Sequence, residues 1–114
     1  MSAAFEAFGL AEVRERQQAS GKQHLEILRR ADLSAGIYVL PRGANDTQSP
    51  HSEDELYYVI SGRARFKAGD ADRDVTAGDT LFVAAQLPHR FHSIDEDLVL
   101  LVVFAPAKGT RAQT

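Results

Sequence analysis

From residue 23 onward the chain is a series of short, apolar-rich runs closed by turn-forming residues, and this punctuation constrains its fold more than any other feature. The runs are His24 to Arg30, Ala35 to Leu40, Glu55 to Ile60, Ala64 to Ala68, Thr80 to Ala84, His89 to Ser93 and Leu98 to Phe104, each of strand length. Between them stand Pro41-Arg42-Gly43, Ser61-Gly62, Gly69-Asp70, Ala77-Gly78-Asp79 and Asp95-Glu96-Asp97. Glycine, proline and aspartate reverse the chain there because they accept turn dihedrals or hydrogen-bond their own backbone. Seven or more short strands predict an all-β sandwich or barrel, two architectures that periodicity alone does not separate.

Only the amino terminus departs from this pattern. Leu10 to Ala19 holds good helix formers (Ala11, Glu12, Arg14, Glu15, Gln17, Gln18) and ends before Ser20-Gly21, a helix-stop signal. The spacing predicts one short amino-terminal helix. Its apolar stripe of Leu10, Val13 and Phe5 is thin, so it should lie over the domain surface or against a partner. Residues 1-22 are read as this helical segment, 23-107 as one β domain and 108-114 as a flexible tail.

At 114 residues and 12.5 kDa the chain has material for a single core. With 44% hydrophobic and 25% charged residues it has the composition of an ordinary globular domain. A formal charge of -3 and no basic stripe argue against nucleic acid as a partner, because duplex affinity comes largely from lysine and arginine neutralising phosphates. No charged leader precedes an apolar segment, and the longest apolar run, Leu98 to Ala105, falls far short of the roughly 20 residues of a spanning helix. A cytoplasmic protein with no membrane partner is expected.

Leu98 to Phe104 is apolar on both faces, as for a strand covered by the core on one side and by something else, such as a second subunit, on the other. Leu25 and Ile27, set among Glu26, Arg29 and Arg30, read as an edge strand that pairs across a dimer or is protected by charge. A homodimer is the expected assembly.

Two stretches carry the chemistry. In the first, five residues separate Gly43 from Ser49; one residue, His51, three residues, Glu55, six residues and Gly62 follow. The second runs Gly78, five residues, Ala84, one residue, Gln86, two residues, His89, three residues and Ser93. This text resembles the cupin family, whose first motif is Gly-x5-His-x-His-x3/4-Glu-x6-Gly and whose second is Gly-x5-Pro-x-Gly-x2-His-x3-Asn. The resemblance covers about half the chain and holds at Gly43, Gly62 and Gly78 and at three of four ligand positions. It implies a double-stranded jelly-roll β-barrel. Four positions depart from the motifs: Ser49 stands where the family places its first histidine, and Ala84, Gln86 and Ser93 replace proline, glycine and asparagine.

Side chains alternate along a strand, so Ser49, His51, Glu53, Glu55 and Tyr57 share one parity, and His51 and Glu55 can converge. The resemblance implies that the strand of His89 lies beside the first motif and brings its imidazole to the same interior point. With no cysteine in the chain, a metal must be held by nitrogen and oxygen. His51, Glu55 and His89 would then bind one divalent ion with coordination positions left open. Two imidazoles and a carboxylate favour Fe(II) and a dioxygenase-like enzyme acting on a small organic molecule; zinc, nickel, manganese and copper also suit such donors. A lone His-x3-Glu pair in a β-protein ordinarily only satisfies hydrogen bonds. The addition of His89 and of two glycine frames points instead to a metal site.

Serine is a poor ligand for a divalent ion, so Ser49 is read as orienting water or substrate by hydrogen bond, with Ser49 or Glu53 managing protons. Gln48 and Glu53 are the nearest substitutes for the missing ligand. Tyr57, Phe82 and Phe91 are candidate pocket walls whose plainer role is core filling. Of Tyr57 and Tyr58, one enters the interior and the other packs outside. His92 has the opposite parity to His89 and should face outward, His24 reads as a surface or interface residue, and Arg63, Arg65 and Lys67 as a solvated face. The alternative to an enzyme is a non-catalytic small-molecule-binding or structural cupin homodimer with a degenerate metal site.

Overall fold

The computed structural model describes residues 4–47 and 50–111. Ser49 and Gln48, with the roles expected of them, lie outside the described residues, as do residues 112–114. A helix α1 (Leu10–Ser20) precedes six strands: β1 (His24–Arg29), β2 (Ser34–Leu40), β3 (Asp54–Ala68), β4 (Ala71–Thr76), β5 (Thr80–Val83) and β6 (His89–Ala105). Every pairing is antiparallel, in the order β1-β2-β6-β3-β4, with β5 added to β3.

Two of the strands are far longer than the sequence predicts, and their bending makes the barrel. The runs Glu55 to Ile60 and Ala64 to Ala68 are one strand, β3, and the runs around His89 and Leu98 are one strand, β6. Ser61-Gly62 and Asp95-Glu96-Asp97 read as turns, but here they are bends inside paired strands. The β3–β6 register shifts between Val59 and Ser61, between Ser61 and Arg63 and between Arg63 and Arg65, and bulges of this kind turn a strand from one layer into another. Gly62 sits at the corner with φ 100°, and a Cβ there would lie 2.2 Å from the Asp97 carbonyl oxygen, so only glycine fits. The first half of β3 therefore pairs with the end of β6 and with β5, and its second half with the start of β6 and with β4.

Strand β4 is absent from the sequence reading. Its text, ADRDVT, carries one buried residue, Val75, while Arg65 of β3 pairs with Asp72 and Asp74 on the outside. Propensity misses such an edge because pairing, rather than side-chain type, makes the strand.

The inner layer closes on Tyr38, Leu40, Tyr57, Val59, Phe66, Phe91, Leu98, Leu100, Val102 and Phe104. The outer face of the sheet forms a second cluster in which Val13 of α1 packs on Ile37 and Val99, beside Leu25, Ile27, Val39 and Ile60. The cover expected for the second face of Leu98 to Phe104 is thus supplied in part by the chain's own helix. The carboxyl-terminal segment expected to be a flexible tail is held as far as Arg111. Ser34 Oγ accepts from Lys108 N, Arg29 donates to the Lys108 carbonyl, and Glu53 accepts from the amides of Gly109 and Arg111.

Candidate metal centre

Three elements deliver the three expected ligands. Glu55 lies on the inner row of β3 with Tyr57 and Val59, and is 2% exposed. His51 precedes β3, and its position is fixed by its carbonyl, which accepts from Gln86 N at 2.7 Å. His89 opens β6 opposite Ala68, at the far end of β3, so its imidazole reaches Glu55 across the barrel interior. One donor atom from each of His51, Glu55 and His89 can be chosen so that all three lie within 4.8 Å of one another. His89 Nε2 is 2.9 Å and His51 Nε2 3.8 Å from Glu55 Oε1.

The electrostatics suit ligation. Nδ1 of His89 donates to the Leu87 carbonyl at 2.9 Å, which leaves the Nε2 lone pair facing the interior, where the Tyr57 hydroxyl lies 3.2 Å away. Burial alone would lower the pKa of His89, but the Glu55 carboxylate and the Leu87 carbonyl outweigh it and raise the group above its ordinary value. Burial holds His51 below its ordinary value despite the attraction of Glu55, so it is neutral and able to ligate near neutrality. Neither oxygen of Glu55 has an aligned hydrogen-bond donor among the described residues, and His89 Nε2 approaches it at an ion-pair distance of 2.9 Å. A carboxylate buried in this way lacks the donors that normally compensate its desolvation. A cation between Glu55, His51 and His89 would supply that compensation, so the residues fit a divalent metal.

The other expected site residues separate. Tyr57 is fully buried beside His89, and Phe91 packs behind it with ring centroids 5.1 Å apart, touching Phe66 rather than the ligands. Phe82 is 65% exposed and is not a pocket wall: β5 pairs it with Leu56 on the outer face while Leu81 and Val83 point inward. Tyr58 faces out, and His92 points away from the centre to the Asp72 carboxylate at 3.0 Å. Glu53 has a structural engagement. Burial would raise its pKa, but Ser52 Oγ and the amides of Gly109 and Arg111 all donate to it and hold it below the ordinary range. With both oxygens occupied it clamps the carboxyl-terminal segment, which is a different task from the proton transfer expected of it.

Three residues near the centre escape the sequence reading. His24, expected at the surface or an interface, is half-buried, and its ring meets Tyr38 edge-on at 5.9 Å and Phe104 at 6.3 Å. Burial, reinforced by the Lys108 charge, lowers its pKa to about 4. Gly36 makes room for it, since a Cβ there would lie 2.7 Å from His24 Nε2. Asp46, in the first motif loop, is buried and accepts from the Tyr38 hydroxyl at 2.8 Å and from Phe91 N at 2.9 Å, tying that loop to β2 and β6. Lys108 lies with its ammonium 5.6 Å from the Phe104 ring centroid. The parity of β1 is blurred because most of its residues are half-buried, so nothing in the sequence marked His24 as inward. A cavity of about 270 Å³, lined by Pro50, Lys67, Gly69, Pro88, His89 and Arg90, opens beside His89.

Comparison with known proteins agrees with this geometry. An uncharacterised protein of Streptomyces coelicolor is 42% identical over 103 residues, spanning 90% of this chain and 98% of that one. Among solved structures, KdgF from Halomonas sp. superposes with a TM-score of 0.67 at 23% identity, over 73% of this chain and 76% of its own, a likeness of fold. A variant of oxalate decarboxylase from B. subtilis gives 0.61 at 28% identity, over 67% of this chain and 22% of its own. The sequence matches the cupin domain over residues 36–104, well over half its length, and with the six-stranded antiparallel roll and the inward His51, Glu55 and His89 this establishes that the chain belongs to the cupin family.

Proposed function

We propose that the protein is a metal-dependent, dioxygenase-like enzyme acting on a small organic molecule in the cytoplasm, with Fe(II) the favoured ion. The observation that carries this reading is the Glu55 carboxylate, buried between two imidazoles with no aligned donor on either oxygen among the described residues. Fe(II) held by two histidines and one carboxylate keeps open positions and supplies Lewis acidity and one-electron chemistry toward dioxygen. The chain's own residues do the rest. The Leu87 carbonyl orients the His89 ring, the Tyr57 hydroxyl stands beside its Nε2, and Phe104, 4.9 Å from the His51 ring, excludes water from that side.

Metal analysis of protein purified without an affinity tag should find close to one ion per chain, and His51→Ala or His89→Ala should abolish uptake in a folded domain. Retention of metal by both variants removes the site assignment. Oxygen consumption with small carbonyl or phenolic compounds, against metal-free protein, tests the reaction class. The 2.9 Å approach of His89 to Glu55 favours a second reading, a non-catalytic binding or structural cupin in which a protonated His89 replaces the metal. Stoichiometry far below one, not restored by added Fe(II), would select it.

We also propose that the chain pairs with a second copy of itself. Phe82 and Leu56 face each other across β5 and β3, and Tyr58 faces Leu101 across β3 and β6, on the sheet face opposite the barrel interior. A groove beside them, lined by Phe8, Leu10, Ile27, Leu28, Tyr58 and Leu101 among others, has a volume of about 420 Å³. A two-fold axis through this band would set it against the same band of a second copy.

A further inference from the structure

The carboxyl-terminal segment is built like a strap with one working side chain. Its backbone is pinned on both sides of Lys108: the amide donates to Ser34 Oγ at 2.9 Å, the carbonyl accepts from Arg29 Nη2 at 2.7 Å, and Glu53 accepts from the Gly109 and Arg111 amides at 2.8 and 2.9 Å. Ala107, immediately before it, is 1% exposed. A lysine on an anchored segment loses less freedom on binding than one on a loose tail, because its backbone entropy is already spent in folding.

Lys108 does not spend its charge on a carboxylate. Among the described residues Lys108 forms no ion pair with a carboxylate. Instead the ammonium lies over the Phe104 ring, whose other contacts are His51 at 4.9 Å and His24 at 6.3 Å. Its positive charge is felt at both imidazoles, where it disfavours protonation. The Phe104 ring therefore has the Lys108 ammonium at 5.6 Å and the His51 ring, beside Glu55, at 4.9 Å.

We infer that Lys108 forms an anion subsite beside the metal centre and that the protein's substrate is a small carboxylate whose negative end docks on this ammonium. The inference rests on the metal-centre reading for the fate of the substrate's other end. Phe104 supplies the apolar floor for a short carbon chain, and His24, neutral and wedged against Gly36, offers a hydrogen-bonding nitrogen without a second charge. A cation–π contact alone would leave Lys108 as packing, so binding is the readout that separates the two roles.

The test uses propanoate and its neutral counterpart propanamide, followed by NMR on the full chain in metal-free and zinc-loaded forms. Propanoate should shift the His24 ring signals and the amides of Gly109 and Thr110 in both forms, and propanamide should not. Lys108→Met should weaken propanoate about ten-fold or more, Lys108→Arg should keep most of the affinity, and zinc stoichiometry should be unchanged in both. Equal propanoate binding by wild type and Lys108→Met overturns the inference, as does equal binding of propanamide or no binding of propanoate to the wild type. Failure to take up zinc with propanoate binding still dependent on Lys108 removes the metal reading and leaves the subsite standing.

Discussion

Glu55 is where the energetics of single residues are sharpest. Leaving a buried carboxylate without aligned donors costs about 1–3 kcal/mol or more, and two imidazoles facing it do not remove that cost unless one is protonated or a cation is shared. His24 poses the converse problem, a base kept neutral by burial. Its pKa of about 4 lies below the ordinary value of 6.5, so the unfolded chain binds more protons than the native one between those values. Its contribution to stability is therefore complete above the ordinary value and is lost as pH falls toward about 4. Urea midpoints should rise with pH across that window, and His24→Gln should flatten the rise. An unchanged slope would place His24 in solvent. His89, with a raised value, acts in the opposite sense: its contribution is full below its ordinary value and declines at higher pH, so the two histidines occupy different windows.

Among the elements, the loop between β5 and β6 shows how the chain meets the demands of its motif with unusual residues. Gln86 stands where the family motif has glycine and adopts φ 69°, and Ser93 stands where the motif has asparagine and adopts φ 50°. Both are in the left-handed region, which disfavours a side chain with a Cβ. The strain is tolerated because the Gln86 amide secures the His51 carbonyl at 2.7 Å, coupling the two motifs. Gln86→Gly should raise stability by about 0.5–1 kcal/mol, visible as a higher urea midpoint at constant slope, with metal uptake unaffected. A lower midpoint would mean that the Gln86 side chain contributes contacts which outweigh the backbone strain. The elements were largely legible beforehand: α1 and the starts of β1, β2 and β5 sit within a residue or two of their sequence limits. What local text misjudged was continuity. Ser61-Gly62 has the composition of a turn, and only pairing with β6 on the neighbouring side turns it into a bend.

At the scale of the whole molecule, the outer face of the sheet remains apolar beyond what α1 covers. Tyr58 is 44% and Leu56 40% exposed, directly across from Leu101 and Phe82. A homodimer buried on this band predicts that Tyr58→Glu shifts the sedimentation of the protein from dimer to monomer while its circular dichroism stays native. A wild-type monomer at micromolar concentration would remove the proposal. No helix among the described residues is long and apolar enough to cross a membrane.

The all-β class, the short helix and the candidate ligands His51, Glu55 and His89 were legible in the chain's own text. Those properties are carried by local periodicity and by residue spacing, and the family motif supplied the pairing of its two halves. Tertiary structure alone decided the rest, because each remaining feature depends on which distant segments meet. Glu53 is a clamp because Arg111, 58 residues away, reaches it. Phe82 is outside because β5 adds to β3 in a register that turns Leu81 inward. His24 is half-buried because Gly36, beside its β2 partner Tyr38, leaves room for its ring, and Lys108 reaches the Phe104 ring because the strap that carries it is anchored at Ser34 and Glu53. Spacing along a chain fixes which side chains can share a face, but the closing of the barrel fixes what that face looks at.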